Sequence, residues 1–121
     1  TLSTLRDEFV SVDILKKKTF DCCSISGFVS KLLKNNILQL VVCGLEAHIC
    51  VWQTAAALRK RGIQPVVAED CISSRNREDK RNAIEEMRAA GIRVCRTEMI
   101  LFELLKSMEH QSFKEIQKLI K

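Results

Sequence analysis

A three-layer α/β fold, a mostly parallel Rossmann-like sheet with helices on both faces, is what the sequence predicts. Three observations predict it: an almost unbroken apolar run over residues 38–43 that stops at Gly44, helical apolar stripes on either side of it, and strand–helix alternation with short connections. A strand with no polar side reads as buried on both faces of a parallel sheet. Parallel neighbours need helical crossovers, and these are right-handed.

Taken in order, residues 9–15 read as a strand rich in β-branched side chains. Ile25, Phe28, Val29, Leu32 and Leu33 follow at i, i+3, i+4, i+7 and i+8, one stripe of a helix that ends near Asn35 and Asn36. Residues 38–43 form the next strand, with Cys43 expected in the core. Over residues 47–61, Val51, Thr54, Ala55 and Leu58 make a second helical face, and Gly62 stands where a left-handed C-cap is wanted. Val66, Val67 and Ala68 form a short strand begun by Pro65. Asn76 and Asp79 resemble a capping pair for a helix that carries Ile84 and Met87 and ends at Gly91. Residues 92–95 alternate as a more exposed strand does. A helix from about Thr97 sets Leu101, Leu104, Leu105 and Met108 on one side, and Ser112 with Glu115 forms a capping box ahead of Ile116, Leu119 and Ile120.

With 121 residues, 46% hydrophobic and 29% charged, the chain suits one domain over residues 1–121 rather than two. Its pattern opens part-way into such a fold, so the N-terminal strands are expected to be missing. A formal charge of +5 permits acidic partners and names none. The longest apolar run is far short of the ~20 residues of a spanning helix, so no membrane partner is expected. Six cysteines without a C-x-x-C pair, beside only two histidines and no secretory h-region, read as reduced thiols; neither a metal nor a cofactor is expected. A cytoplasmic or mitochondrial setting follows as an expectation. With Phe9, Phe28, Phe102 and Phe113 on apolar faces or beside caps and no tyrosine, no stacking platform for a single strand is expected, and Arg75, Arg77, Lys80 and Arg81 read as a solvated helix face, so nucleic acid is not an expected partner.

In open parallel sheets, ligands gather beyond the carboxyl ends of the strands. After residues 38–43 come a tight turn and then Cys50, in the first turn of the expected helix. Unpaired N–H groups there favour thiolate and could hold a developing oxyanion. The competing reading makes Cys50 a small buried hydrophobe. A lysine leaving the first strand, within residues 16–18, could set its ammonium near that thiol; a solvated charge run is the plainer alternative. His48, two residues earlier, points to another side of the helix, which argues against a Cys–His dyad; with Leu45 it is a candidate for the pocket wall. Asp70 reads as a structural cap.

The pairs Cys43-Gly44, Cys50-Val51 and Thr54-Ala55 resemble the signature of the isochorismatase-like cysteine hydrolases, and the likeness runs through residues 68–75 and on from Ala83 to Gly91. It covers about residues 14–121. The resemblance implies Cys50 as nucleophile and Lys17 as catalytic lysine, with Phe20 three positions on; Lys18 stays open because Asp21 and Cys23 depart from the family pattern. It also implies the backbone amides of Glu46 and Cys50 as oxyanion donors, and a cis peptide from Leu45 to Glu46. The metal motif of nicotinamidases has no match. Neither has the family's Asp-x-Gln aspartate, and Asp7, Asp13 and Asp21 do not fit it.

The implied activity is hydrolysis of a small-molecule amide or related carbonyl compound through a thioester. A thiol argues against vinyl ether cleavage. The alternative is a catalytically incomplete relative serving oligomerisation or protein binding. A homo-oligomer is expected, and without its early strands the isolated chain is expected to associate or aggregate.

Overall fold

Val42 and Val67, the apolar middles of two strands, lie opposite each other in a parallel ladder, and Val94 of a third strand lies opposite Val67. The computed structural model describes Val12 and residues 14–120. In chain order its regular elements are a 3-10 turn Cys22–Ser24, α1 (Phe28–Lys34), β1 (Gln39–Leu45), a π-helical turn Ala47–Val51, α2 (Trp52–Lys60), β2 (Gln64–Ser73), α3 (Arg77–Ala89), β3 (Arg93–Cys95), α4 (Thr97–Leu105) and α5 (Phe113–Leu119). The sheet order is β1-β2-β3, all parallel.

Strand alternation sends odd and even positions to opposite faces. On one face Val42 and Val67 pack with Leu32 of α1, Ala55 and Leu58 of α2, and Ala83, Ile84 and Met87 of α3. On the other, Val66, Ala68 and Cys95 meet Ile100 of α4. Helices therefore cover both faces, and the architecture is the three-layer α/β fold that the sequence predicts.

Several local expectations need correction. β1 is not buried on both faces. α4 covers β2 and β3 rather than β1, so Val41 is 49% exposed, Leu45 68% exposed, and Cys43, expected in the core, is exposed as well. The strand after Pro65 runs to Ser73 rather than Ala68, because it bulges: Val42 to Gly44 on β1 spans Val67 to Ile72 on β2. Of the strand expected over residues 9–15, Val12, Ile14 and Leu15 have no strand structure, and Phe9, Val10, Ser11 and Asp13 lie outside the described residues. The first helix begins at Phe28 rather than Ile25, and the residues before it form the short 3-10 turn.

Capping is likewise uneven. Asn76 accepts from Glu78 N at 3.0 Å and caps α3, but Asp79 turns to His48 rather than back to the cap. Ser112 makes no side-chain cap bond, so no capping box forms with Glu115; the Ser112 N–H donates instead to His110 Nδ1 at 3.1 Å. Gly62 holds φ +78° after α2, the left-handed stop its position predicts. α4 ends at Leu105, which leaves Met108 exposed.

Asp70 does the structural work expected of it. Its Oδ1 accepts from both Thr97 N and Thr97 Oγ1 at 2.8 Å, tying the β2 bulge to the start of α4. The Thr97 backbone N–H first, and its hydroxyl second, hold the Asp70 carboxyl below its ordinary range. A lowered folded value means stability that is present above the unfolded pKa and lost as pH falls through the folded one. Asp70→Asn should therefore lower the urea midpoint at pH 7, and the gap to the parent chain should narrow in acid. A gap of equal size at pH 3 would contradict this.

Candidate functional site

Gly44, at φ +125°, closes β1, and a cis peptide joins Leu45 to Glu46. Glu46 then starts the π-turn: its carbonyl accepts from Ile49 N and Val51 N, each at 3.2 Å. The sequence predicted an ordinary first helical turn here. A π-turn is wider by one residue, so Cys50 sits on that wider turn, ahead of α2, with Val51 and Trp52 behind it. Such turns are common at functional sites.

Cys50 is half-buried and opens onto a cavity of about 200 Å³ at the carboxyl end of β1. Val42, Cys43 and Leu45 form its strand wall, Val51 and Thr54 its helical wall, and Cys22 and Lys17 close it from the preceding loop. Lys17 and Cys50, far apart in sequence, thus face one hollow. Lys18 is not part of its lining. The Lys17 ammonium donates to the carbonyls of Thr19 at 2.8 Å and Phe20 at 2.9 Å, which fixes a lysine whose residue is otherwise exposed. A larger hollow of about 510 Å³ lies on α2 around Trp52, Ala56 and Arg59, but no thiol or carboxylate lines it.

The joint between loop and helix is Thr54. It is buried, and its Oγ1 accepts from Cys22 N at 3.1 Å, so the segment that carries Lys17 is pinned to the helix that follows Cys50. Sequence reasoning saw Thr54 only as part of a helical face and a motif. The signal available was a hydroxyl among alanines and leucine on a buried stripe, where a polar group needs a partner.

Leu45 lines the cavity and His48 does not. The imidazole turns to Ser74, with Nδ1 2.9 Å from Oγ, and lies 3.8 Å from both the Glu46 and the Asp79 carboxylates. Glu46 Oε2 accepts from Arg75 N at 2.9 Å. No group of three or more metal-ligating side chains occurs among the described residues.

All six cysteines are free. Burial, with the Asp21 carboxylate beside it, pushes the Cys23 thiol up to about 11. The Cys43 thiol is also raised, first by desolvation of its sulfur and then by Cys71, although the outer side of the residue is exposed.

The isochorismatase domain matches residues 2–99. The chain belongs to this family. Isochorismatase domain-containing protein 2 of Danio rerio is 38% identical over 82 residues, 68% of this chain and 42% of that protein. Isochorismatase domain-containing protein 2A of Mus musculus is 35% identical over 102 residues, 83% of this chain and 50% of that protein. The chain spans about half the length of these curated relatives. Among solved structures, MAR1 ribonuclease from Caenorhabditis elegans superposes with a TM-score of 0.79 at 36% identity, covering 86% of this chain and 53% of that one. Nicotinamidase PncA from Bacillus subtilis superposes with a TM-score of 0.71 at 25% identity, covering 77% and 54%. Hydrolase chemistry is thus represented among the family's structural neighbours.

The thiols of this isochorismatase-family chain should separate by rate. At pH 8 a group with a pKa of about 11 is thiolate in roughly one molecule per thousand. Iodoacetamide should therefore alkylate Cys50 at least about tenfold faster than Cys23, with Cys43 also behind, as followed by peptide mass spectrometry over time. A Cys23 peptide labelled as early as that of Cys50 would contradict the assignment.

Proposed function

We propose that this chain carries the nucleophile, the cation and the oxyanion donors of a cysteine hydrolase acting on a small-molecule amide or related carbonyl compound. What supports the reading is the single cavity shared by Cys50 and Lys17 where β1 ends, the strand edge at which parallel sheets receive ligands. Cys50 Sγ attacks the carbonyl carbon, and the backbone N–H groups of Glu46 and Cys50 take up the charge that develops on oxygen. The C–N bond then breaks and the amine leaves with a proton. Water attacks the thioester, releasing the acid and returning the thiol. Lys17 holds the thiolate before attack and the negative charge during it. No carboxylate lines the cavity among the described residues, so the proton for the amine comes from a group outside that lining.

Of the activities named for the structural neighbours, the amide reading suits this cavity better than the ribonuclease one. A hollow of about 200 Å³ with one ammonium and mostly apolar walls offers little to a polyanion. None of Arg75, Arg77, Lys80 and Arg81 lines this cavity, and two of them face carboxylates: Arg81 pairs with Glu78 at 2.6 Å and lies 3.8 Å from Glu85, and Arg75 lies 3.9 Å from Glu46.

The test uses p-nitrophenyl acetate, whose leaving group departs without needing a proton. Intact-mass and peptide analysis should find one acetyl group on Cys50, and Cys50→Ala should carry none there. Lys17→Met should acylate on the order of tenfold more slowly, having lost the cation that faces the sulfur and the developing charge. Acetylation that spares Cys50 would overturn the proposal.

A second reading, association through the sheet, is favoured by the open side of β1. Among the described residues β1 pairs with β2 alone, and Val41 stands exposed beside the unpaired edge. Such an edge is a template for another strand. Light scattering at micromolar concentration should find dimers or larger species, and Val41→Lys should shift them towards monomer. A parent chain that stays monomeric would exclude this reading.

A further inference from the structure

We infer that His48 is a positioning residue: through Glu46, Ser74 and Asp79 it holds the Glu46 peptide where its N–H can meet a developing oxyanion. The inference rests on the hydrolase reading above and adds a part that acts from behind the cavity.

The imidazole connects three elements. It rises from the π-turn, its Nδ1 lies 2.9 Å from Ser74 Oγ just beyond β2, and its Nε2 lies 3.8 Å from Asp79 Oδ2 in the first turn of α3. An N–H at Nε2 facing the Asp79 carboxylate leaves Nδ1 to accept the Ser74 hydroxyl proton. Nδ1 is also 3.8 Å from Glu46 Oε2, and that oxygen accepts from Arg75 N at 2.9 Å. Ser74, held by the ring, directly precedes Arg75, whose N–H holds the Glu46 side chain, while the Glu46 backbone opens the turn on which Cys50 sits.

Partial burial of His48 and Glu46 gives this link its stiffness. The His48 and Glu46 side chains are 24% and 26% exposed, against 65% and 61% for the surface pair Arg81 and Glu78. Solvated pairs constrain little, because water competes for both partners and long side chains resist being fixed. None of His48, Ser74, Arg75 and Asp79 lines the Cys50 cavity, so an effect of theirs on the reaction reaches it through the turn that carries Glu46 and Cys50. Loss of one oxyanion donor costs on the order of a hundred- to a thousandfold in rate, so a donor left in place but loosened should cost about ten- to a hundredfold.

Two reactions of the same sulfur separate this role from a structural one. Alkylation by iodoacetamide displaces iodide from a saturated carbon and develops no oxyanion. Acylation by p-nitrophenyl acetate forms the S–C bond while charge collects on the carbonyl oxygen, and p-nitrophenolate departs. In the full chain, His48→Ala should slow Cys50 acylation about ten- to a hundredfold and keep alkylation within about twofold. His48→Gln, which retains a donor and an acceptor, should recover part of the loss.

If alkylation and acylation fall together, the ring acts on the fold as a whole and the inference is overturned. Normal acylation of His48→Ala overturns it too, and leaves the hydrolase reading standing. A parent chain that is alkylated at Cys50 but never acylated there removes the hydrolase reading and this inference with it.

Discussion

The parallel ladder between β1 and β2 is the constraint on which the rest depends. Because both strands run the same way, the chain must return through a helix before it can pair again, and every strand then ends at one edge of the sheet. That edge collects Glu46 and Cys50 after β1, Ser74 and Arg75 after β2, and Thr97 after β3. The Val42 and Val67 pair that anchors the ladder also faces the larger core cluster, so register and burial reinforce each other.

A second layer of organisation is polar. Thr54 joins the loop before α1 to α2, Asp70 joins β2 to α4, and His48 joins the π-turn to the β2 exit and α3. Each bond links segments more than twenty residues apart. Among the described residues, no buried side-chain nitrogen or oxygen lacks a partner, so these links cost little in desolvation. Apolar packing sets where the layers lie; the polar joints set which residues meet at the strand ends.

Periodicity made the layers legible in the sequence. The stripes through Leu58 and Ile84 are helical and buried as their spacing predicts, and Gly62 stops its helix where it should; of the stripe on α1 only Leu32 is buried, Leu33 is exposed and Ile25 precedes the helix. The local motif around Cys50 and the family pattern pointed to Lys17, and the structure brings both residues to one cavity. Alternation, however, speaks only for uniform strands. Between Val67 and Ile72 the bulge interrupts β2 and reverses its parity, so these two share one core despite their odd and even positions, and the pattern legible in the sequence ends at Ala68. The apolar run in β1 likewise records what a strand can bury rather than what covers it, which is why Cys43 is exposed despite that run. The Thr54 and His48 links join distant segments through single side chains and leave no periodic trace.

An ammonium has three N–H vectors, and at Lys17 two are already spent on the Thr19 and Phe20 carbonyls. The third is therefore aimed rather than free to wander. Freezing a loose lysine costs about 1.5–2 kcal/mol in rotamer entropy; here much of that loss has been met during folding, before any guest arrives.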